Sequence, residues 1–180
     1  MLLGRHKTII TPKMPCQLAG FEHRTESAHE KYGDLYLRTT LLQDEDTTLC
    51  FFVADIIWWD DELVQILRKK ISKKEKLPEQ NLHFLATHNH SGPQVSNRFS
   101  EKLGTYHEGF VQQLIEKACE SVKQAKNNME PVVIEVRKAE FDLGVYRRKF
   151  IDGVVEMAPN GSVEVDNDLT VISFLNQYRQ

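Results

Sequence analysis

Two histidines, His88 and His90, lie one residue apart at the end of a short apolar segment. The segment Leu82–Ala86 predicts a buried strand, and Ser91-Gly92-Pro93 after the histidines predicts the start of a loop. If the backbone stays extended through the pair, the two-residue period of a strand places both imidazoles on the same side. Two imidazoles at a strand end beside a loop could bind a metal ion or transfer protons.

The histidine pair taken alone is a weak signal, because a polar strand end with one imidazole bonded to the loop has the same sequence. His83 belongs to the same apolar segment but lies on the face opposite Phe84, so it is expected at the surface and not as a ligand.

Asp55 ends the preceding apolar strand. Its carboxylate could belong to the site or cap a helix, and the sequence leaves both readings open.

A pair of arginines, Arg147 and Arg148, follows Gly144 outside any helical pattern. A guanidinium can bind a carboxylate, an amide oxygen or a phosphate through its planar donors. A solvated basic turn would have the same pattern, so the pair is a hypothesis for substrate contact. Arg24, in the polar loop over residues 22–34, is a weaker candidate of the same kind.

The composition describes an ordinary globular chain of 180 residues, with 41% hydrophobic and 27% charged residues. This length is sufficient for one domain with a full core. The net charge of -3 lacks the basic excess of a nucleic-acid-binding protein. The lysine-rich segments at 68–70 and 73–76 fall on the polar face and tail of a predicted helix, which indicates solvated surface.

The cysteines and the apolar segments bear on the cellular location. Cys16, Cys50 and Cys119 are odd in number and form no CxxC pair, which suits free thiols in a reducing compartment. No apolar segment is long enough to span a membrane, and the first residues do not form a signal peptide. We therefore expect a cytoplasmic protein without a transmembrane segment.

Alternating strands and helices are expected to position these residues. The apolar and turn patterns predict strands at residues 35–42, 47–57, 82–86, 131–141 and 169–175. A first helix starts at the acidic residues Asp60, Asp61 and Glu62 and ends before Pro78. A second helix follows a capping box formed by Thr105 and Glu108 and ends at residues 127–128, with His107 exposed in its first turn.

The strand, helix and strand over residues 47–86 fit a right-handed crossover between parallel strands. The unbroken apolar residues near the end of the first of these strands indicate burial on both faces. His88 and His90 would then lie at the carboxyl end of a parallel strand, where open α/β sheets bind ligands. The prediction is one α/β unit with a mixed or mostly parallel sheet flanked by helices.

Several segments resemble, in the same order, the amino-terminal part of the neutral/alkaline non-lysosomal ceramidase family and its shorter prokaryotic relatives. The resemblance runs from about Thr8 to Leu175, and Thr87-His88-Asn89-His90-Ser91-Gly92-Pro93 is its most specific motif. The other segments are Ile10-Thr11-Pro12, Leu18-Ala19-Gly20-Phe21, Asp34-Leu35-Tyr36-Leu37-Arg38, Ala54-Asp55 and Gly144-Val145-Tyr146-Arg147-Arg148.

The resemblance implies a zinc-dependent amidohydrolase that cleaves the N-acyl bond of ceramide, or of a similar lipid or small-molecule amide. By position in the motifs, it implies that His88 is a zinc ligand and that His90 is a catalytic residue facing the substrate. Arg147 would contact polar groups of the substrate, with Arg148 as the alternative. These roles belong to an enzyme of sphingolipid and lipid metabolism.

The resemblance also implies that part of the site lies outside this sequence. The family's second zinc histidine follows the strand that matches residues 170–175, and its glutamate and tyrosine come later still. Residues 1–180 are therefore expected to be a truncated, amino-terminal part of a larger ceramidase-like catalytic domain.

Two other functions remain open at this point. The chain could be a different metallohydrolase that uses the His-x-His site, or a non-catalytic or incomplete binding or assembly module. An exposed sheet edge could also pair with another copy of the chain to form a homo-oligomer.

Overall fold

The computed structural model describes residues 1–178, which divide into two compact units, Met1–Pro131 and a second that begins at Val132. The sequence predicted one unit. The described strands of the second unit pair with one another. Strand pairing depends on residues far apart in the sequence, so the local patterns could predict the two long strands of the second unit but not this division.

The first unit contains two α-helices and a five-stranded sheet. Its elements in chain order are β1 (Leu2–Ile9), β2 (Cys16–Gln17), β3 (Ser27–Ala28), β4 (Tyr36–Asp44), β5 (Thr47–Ala54), α1 (Asp61–Glu75), β6 (Leu82–Ala86), α2 (Glu108–Asn127) and β7 (Glu130–Pro131). Short 3-10 turns at Glu79–Asn81 and Glu101–Leu103 precede β6 and α2.

The sheet has the strand order β6-β5-β4-β1-β7 and is mixed. β5 and β6, which α1 connects, are parallel, whereas β1, β4, β5 and β7 form antiparallel pairs. The α/β class and the mixed sheet flanked by helices are thus confirmed, and so is the parallel pairing of β5 with β6. The carboxyl ends of these two strands lie side by side at Ala54 and Ala86.

Strand β1 is not among the strands predicted from the sequence. β1 pairs with β4 along its whole length, from Leu2 opposite Gln43 to Ile9 opposite Tyr36. Its charged residues hid the strand pattern. A side chain at Gly4 would overlap the carbonyl oxygen of Ala125, so glycine there lets α2 lie close to the sheet.

Burial alternates along β5. Cys50, Phe52 and Ala54 are fully buried, while the residues between them are only half-buried. The predicted burial on both faces is therefore complete on one face of the strand and only partial on the other. α1 and α2 contribute their apolar side chains to one core with the fully buried side of the sheet. Burial also raises the pKa of the Cys50 thiol to about 12, as expected for a cysteine that acts as a small hydrophobic residue.

The two helices begin in different ways. α1 starts after Asp60, as predicted, and the Asp60 carboxylate accepts hydrogen bonds from the amides of Glu62 and Leu63. The capping box predicted for α2 was wrong. His107 is the N-cap, and its Nδ1 accepts a hydrogen bond from the Phe110 amide. The helix begins too late for Thr105 to cap it.

The second unit consists of two antiparallel strand pairs. β8 (Val133–Glu140) pairs with β11 (Asp168–Leu175), and β9 (Lys149–Ile151) pairs with β10 (Val154–Glu156) across a turn at Asp152 and Gly153. Many of its large apolar side chains are exposed, among them Val133, Val136, Phe141, Leu143, Phe150, Val154, Val155, Val171 and Ile172. Among the described residues, no helix is long and apolar enough to cross a membrane.

Candidate functional site

The histidine pair follows β6 at the carboxyl end of the parallel strand pair. Beyond Ala86, the amides of Thr87 and Asn89 still donate to Ala54 and Ile56 at 3.0 and 3.1 Å, so the chain stays beside the end of β5. His88 itself has a φ angle of 57°, in the left-handed region. A non-glycine residue in this region is uncommon and is often found at functional sites.

The two imidazole rings contact each other although the backbone is not extended at His88. Their centroids are 4.9 Å apart and their planes are inclined by 73°. His88 Nδ1 lies 2.8 Å from the carbonyl oxygen of Ile57. Because a carbonyl can only accept, Nδ1 carries the proton and donates it, and in the neutral ring Nε2 then keeps a free lone pair. Metal-binding histidines commonly have this arrangement.

His90 is held by a loop that lies about seventy residues earlier in the sequence. The Phe21 ring meets the His90 ring edge-on at 4.7 Å, and Arg24 Nη1 donates to the His90 carbonyl oxygen at 2.7 Å. A Cβ atom on Gly20 would lie 2.5 Å from His90 Nδ1. His90 Nδ1 is buried there and has no hydrogen-bond partner among residues 1–178.

Two backbone hydrogen bonds fix the same loop. The Ala19 amide donates to the Gly92 carbonyl at 2.8 Å, and the Gly20 amide donates to the Leu103 carbonyl at 2.9 Å. Gly20 has a φ angle of 104°, which favours glycine. Arg24, the weaker candidate from the sequence, thus contacts the backbone of His90. The contact between Phe21 and His90 could not be derived from local pattern.

Asp55 does not cap a helix, which was one of the two readings left open by the sequence. Its carboxylate accepts hydrogen bonds from the Tyr36 amide and from Arg38 Nη1, both at 2.9 Å, and from Thr87 Oγ1 at 3.3 Å. These bonds join β4, β5 and the residue before His88. Asp55 therefore stabilises the ends of the strands, and the helix cap is Asp60.

Gln94 and Ser96 form a buried polar cluster with Trp58 and Asp60, which follow β5. Gln94, which is 1% exposed, accepts hydrogen bonds at Oε1 from Trp58 Nε1 at 2.8 Å and from the amides of Val95 and Ser96. Ser96 Oγ donates to Asp60 at 2.6 Å. The start of the loop after Pro93 is therefore buried and hydrogen-bonded to the residues that follow β5.

The arginines predicted to contact substrate lie in the second unit. Arg147 and Arg148 are exposed and belong to the irregular segment over residues 141–148, just before β9. Arg148 Nη1 lies 3.4 Å from the Arg147 carbonyl oxygen. Neither guanidinium forms an ion pair with a carboxylate of the described chain, so both remain available to a ligand. The choice between them stays open.

Whether the site could hold zinc depends on which side chains near the histidines can act as metal ligands. His88 fits the role of one ligand, because Nε2 is free and Nδ1 is oriented by a carbonyl. Catalytic zinc usually has three protein ligands. No group of three or more histidine, cysteine, aspartate or glutamate side chains within residues 1–178 could hold a metal ion. The described residues therefore do not contain a complete set of ligands for a catalytic zinc ion.

Comparisons with known proteins identify the fold. No family model and no curated protein matches the sequence. Among solved structures, the crystal structure of neutral ceramidase from Pseudomonas aeruginosa matches with a TM-score of 0.81 and 15% identity, over 99% of this chain and 30% of that chain. A ceramidase complexed with C2 matches with a TM-score of 0.81 and 14% identity, over 99% of this chain and 29% of that chain.

The resemblance found in the sequence motifs is thus matched in three dimensions. This chain spans slightly less than a third of the length of the ceramidases to which it is similar. At this level of identity the match establishes the fold. The chain has the α/β fold of the corresponding part of the neutral ceramidases.

Proposed function

We propose that this chain is the amino-terminal part of a zinc-dependent hydrolase that cleaves an N-acyl amide bond, as in ceramide or a similar lipid amide. The observation that carries the proposal is the orientation of His88 in a ceramidase-like fold. Its Nδ1 is bonded to the Ile57 carbonyl, and its Nε2 is free to bind a metal at the carboxyl end of β6.

His90 would act on the substrate. Its Nδ1 lies against Gly20 without an acceptor for an N–H group, so the neutral ring favours its proton on Nε2. An Nε2–H group can donate to the oxygen on which negative charge develops when an amide carbonyl is attacked. Phe21 and Arg24 hold the ring and the backbone of His90 in place for this role.

Two further parts complete the proposed site. Zinc, when bound, would polarise the amide carbonyl or lower the pKa of a water molecule. Arg147, or Arg148 in its place, would bind the carbonyl or carboxylate oxygens of the substrate or product through its planar guanidinium. The remaining zinc ligands would come from residues other than those described.

Zinc content measured by elemental analysis tests the proposal. The chain is purified, loaded with zinc and dialysed, together with His88→Ala and the control His83→Ala. His83 belongs to the same strand but stacks on Phe51 at 5.0 Å, so its loss should not affect zinc. Because the described residues supply an incomplete ligand set, we expect less than one zinc ion per chain on the unmodified chain and on the control, and less again on His88→Ala. Equal zinc in all three proteins would contradict the ligand role of His88.

A binding or assembly module is the second candidate, and the incomplete ligand set among residues 1–178 favours it. Hydrolysis of a fluorogenic N-acyl amide in the presence of zinc separates the two functions. Turnover that His90→Ala abolishes would support the enzyme. Absence of turnover on a chain that retains zinc would support the module. A different metallohydrolase would cleave other substrates with the same dependence on His88.

A further inference from the structure

A cleft between α1 and the ends of β5 and β6 contains both tryptophans of the chain. Its walls include Trp58, Trp59, Phe84 and His88, and its volume is about 460 Å³. Small-molecule sites typically have volumes of roughly 300–1,000 Å³ and mostly apolar walls. The cleft is therefore large enough for a compact organic ligand.

Hydrogen bonds to the protein fix the aromatic walls. Trp58 Nε1 donates to Gln94 Oε1 at 2.8 Å, and Trp59 Nε1 donates to the Leu85 carbonyl at 2.9 Å. The Phe84 ring meets Trp59 edge-on at 5.1 Å. Because both indole N–H groups are already bonded, the tryptophans offer a ligand only their apolar surface.

Arg68 also lines this cleft, and not all nitrogen atoms of its guanidinium have hydrogen-bond partners among the described residues. Its Nη2 donates to the Leu82 carbonyl at 3.2 Å, but its Nε is buried and has no hydrogen-bond partner among the described residues. Nor does Arg68 form an ion pair within residues 1–178. A guanidinium without a carboxylate partner, beside an aromatic cleft, can take the carboxylate of a ligand as its partner.

Arg68 is the charged residue of the cleft lining whose charge is not neutralised by a neighbouring side chain among the described residues. Asp61 also lines the cleft, but its carboxylate bonds Arg98 at 2.9 Å and its side chain is 88% exposed. The first amides of α1 are not available to an anion, because Asp60 accepts from them. An anion would therefore bind through the guanidinium and not through the helix terminus.

We infer that this cleft binds a carboxylate with a compact apolar body. The carboxylate oxygens would accept hydrogen bonds from Arg68, and the body would pack against Trp58, Trp59 and Phe84. A phosphate without an apolar body would find one guanidinium and no further donor, and would leave the aromatic walls unused. This binding site goes beyond the proposed hydrolysis and does not depend on it.

Intrinsic tryptophan fluorescence tests the inference directly, because both tryptophans of the chain line the cleft. The full chain is titrated with cyclohexanecarboxylate and, separately, with cyclohexylmethanol, which has the same apolar ring but no charge. We expect a saturable change in fluorescence with the acid and binding at least about tenfold weaker with the alcohol, because the alcohol lacks the charge that would bind the guanidinium. No saturable change, or equal binding of both compounds, would overturn the inference.

Substitutions in α1 test whether Arg68 is the residue that binds the carboxylate. Arg68→Gln should weaken binding of the acid about tenfold or more and leave binding of the alcohol unchanged. Lys69→Gln is the matched control, because it removes one positive charge from the next, exposed residue and should retain the affinity within about twofold. Unchanged affinity in Arg68→Gln, with a circular dichroism spectrum like that of the parent, would overturn the role of Arg68. Should Arg68→Gln not fold, the acid and alcohol titrations of the unmodified chain still decide the inference.

Discussion

Gly20 illustrates how single residues outside the histidine motif determine the geometry of the site. It lies at a φ angle of 104°, and its missing side chain leaves room for the His90 ring. The neighbouring Phe21 and Arg24 contact the ring and the backbone of His90. The orientation of His90 is therefore a property of the loop over residues 18–24 as much as of the motif itself.

Gly20→Ala should disturb both the stability of the chain and the position of His90. An alanine at this φ costs about 1–2 kcal/mol, and its Cβ would lie 2.5 Å from the His90 ring. We expect the free energy of unfolding in urea to fall by at least about 1 kcal/mol and the NMR signals of the His90 ring nitrogens to move. Gly33→Ala is the control, because nothing lies within 4 Å of its added Cβ. Unmoved His90 signals in Gly20→Ala would contradict this account of the loop.

We expect the free energy of unfolding to depend on pH through Asp60, the residue that caps the start of α1. Burial alone would raise the pKa of Asp60, but hydrogen bonds from Ser96 and from the Leu63 and Glu62 amides, together with Arg98, outweigh burial. The pKa of Asp60 in the folded chain consequently lies below its ordinary value. A carboxylate of this kind stabilises the fold above its unfolded pKa, and the stabilisation is lost as the pH falls through the folded pKa.

Asp60→Asn should remove this dependence. At neutral pH we expect the substitution to lower the free energy of unfolding by about 1–3 kcal/mol, because it replaces charged hydrogen bonds with neutral ones. The difference from the unmodified chain should shrink as the pH is lowered below about 4. Urea unfolding over a series of pH values measures both effects. Asp46→Asn, in the exposed turn between β4 and β5, serves as the control, and a difference that is constant with pH would contradict the prediction.

A buried pair of hydroxyl groups joins α2 to the sheet. Thr39 of β4 and Ser121 of α2 are 0% and 1% exposed, and their oxygens are 2.6 Å apart. Ser121 Oγ donates to the Ala118 carbonyl at 2.8 Å, so Thr39 is the donor in the bond between the two hydroxyl groups. Removal of Ser121 would therefore leave a buried donor unsatisfied, whereas removal of Thr39 would not.

Ser121→Ala should thus cost more stability than Thr39→Val. We expect a loss of about 1–3 kcal/mol for the serine and about 0.5–1.5 kcal/mol for the threonine, by urea unfolding. The double variant should lose less than the sum of the two, because neither partner is then left unpaired. Additive losses would show that the two hydroxyl groups do not interact in solution.

At the scale of the whole molecule, exposed apolar side chains are concentrated in the second unit. Its sheets have two strands each, and Val136 and Ile172, a cross-strand pair of β8 and β11, are 60% and 57% exposed. Two-stranded sheets are marginally stable by themselves. Large exposed apolar patches commonly mark surfaces that bind another protein. The homo-oligomer expected from the sequence stays a prediction, and this surface is where we expect it to form.

Ile172→Lys should weaken such association. We expect the mass measured by light scattering to rise with the concentration of the unmodified chain, and to rise less for Ile172→Lys, because a charge on the apolar face must be desolvated on pairing. Ile172→Val is the matched control, because it keeps an apolar side chain at the same position. A mass that is independent of concentration for all three proteins would rule out pairing of copies through this surface.

Elements with a strong local pattern could be predicted from the sequence. The bounds of β6 agree residue for residue, and the acidic start of α1 and the end of α2 near Asn127 were also correct. β1 was missed because its charged residues obscure the alternation that its pairing with β4 produces. The cap of α2 was assigned to Thr105 because a capping-box pattern describes residue types, whereas the helix begins where its backbone hydrogen bonds begin.

The sequence by itself determined the α/β class, the parallel pair of β5 and β6, and the position of His88 and His90 beyond its carboxyl end. These features follow from periodicity and turn residues, which act over a few neighbouring positions. Only the tertiary structure decided the left-handed turn at His88, the free Nε2, the loop that holds His90 and the aromatic cleft beside Arg68. Each of these depends on contacts between segments far apart in the sequence, and such contacts exist only once the chain has folded.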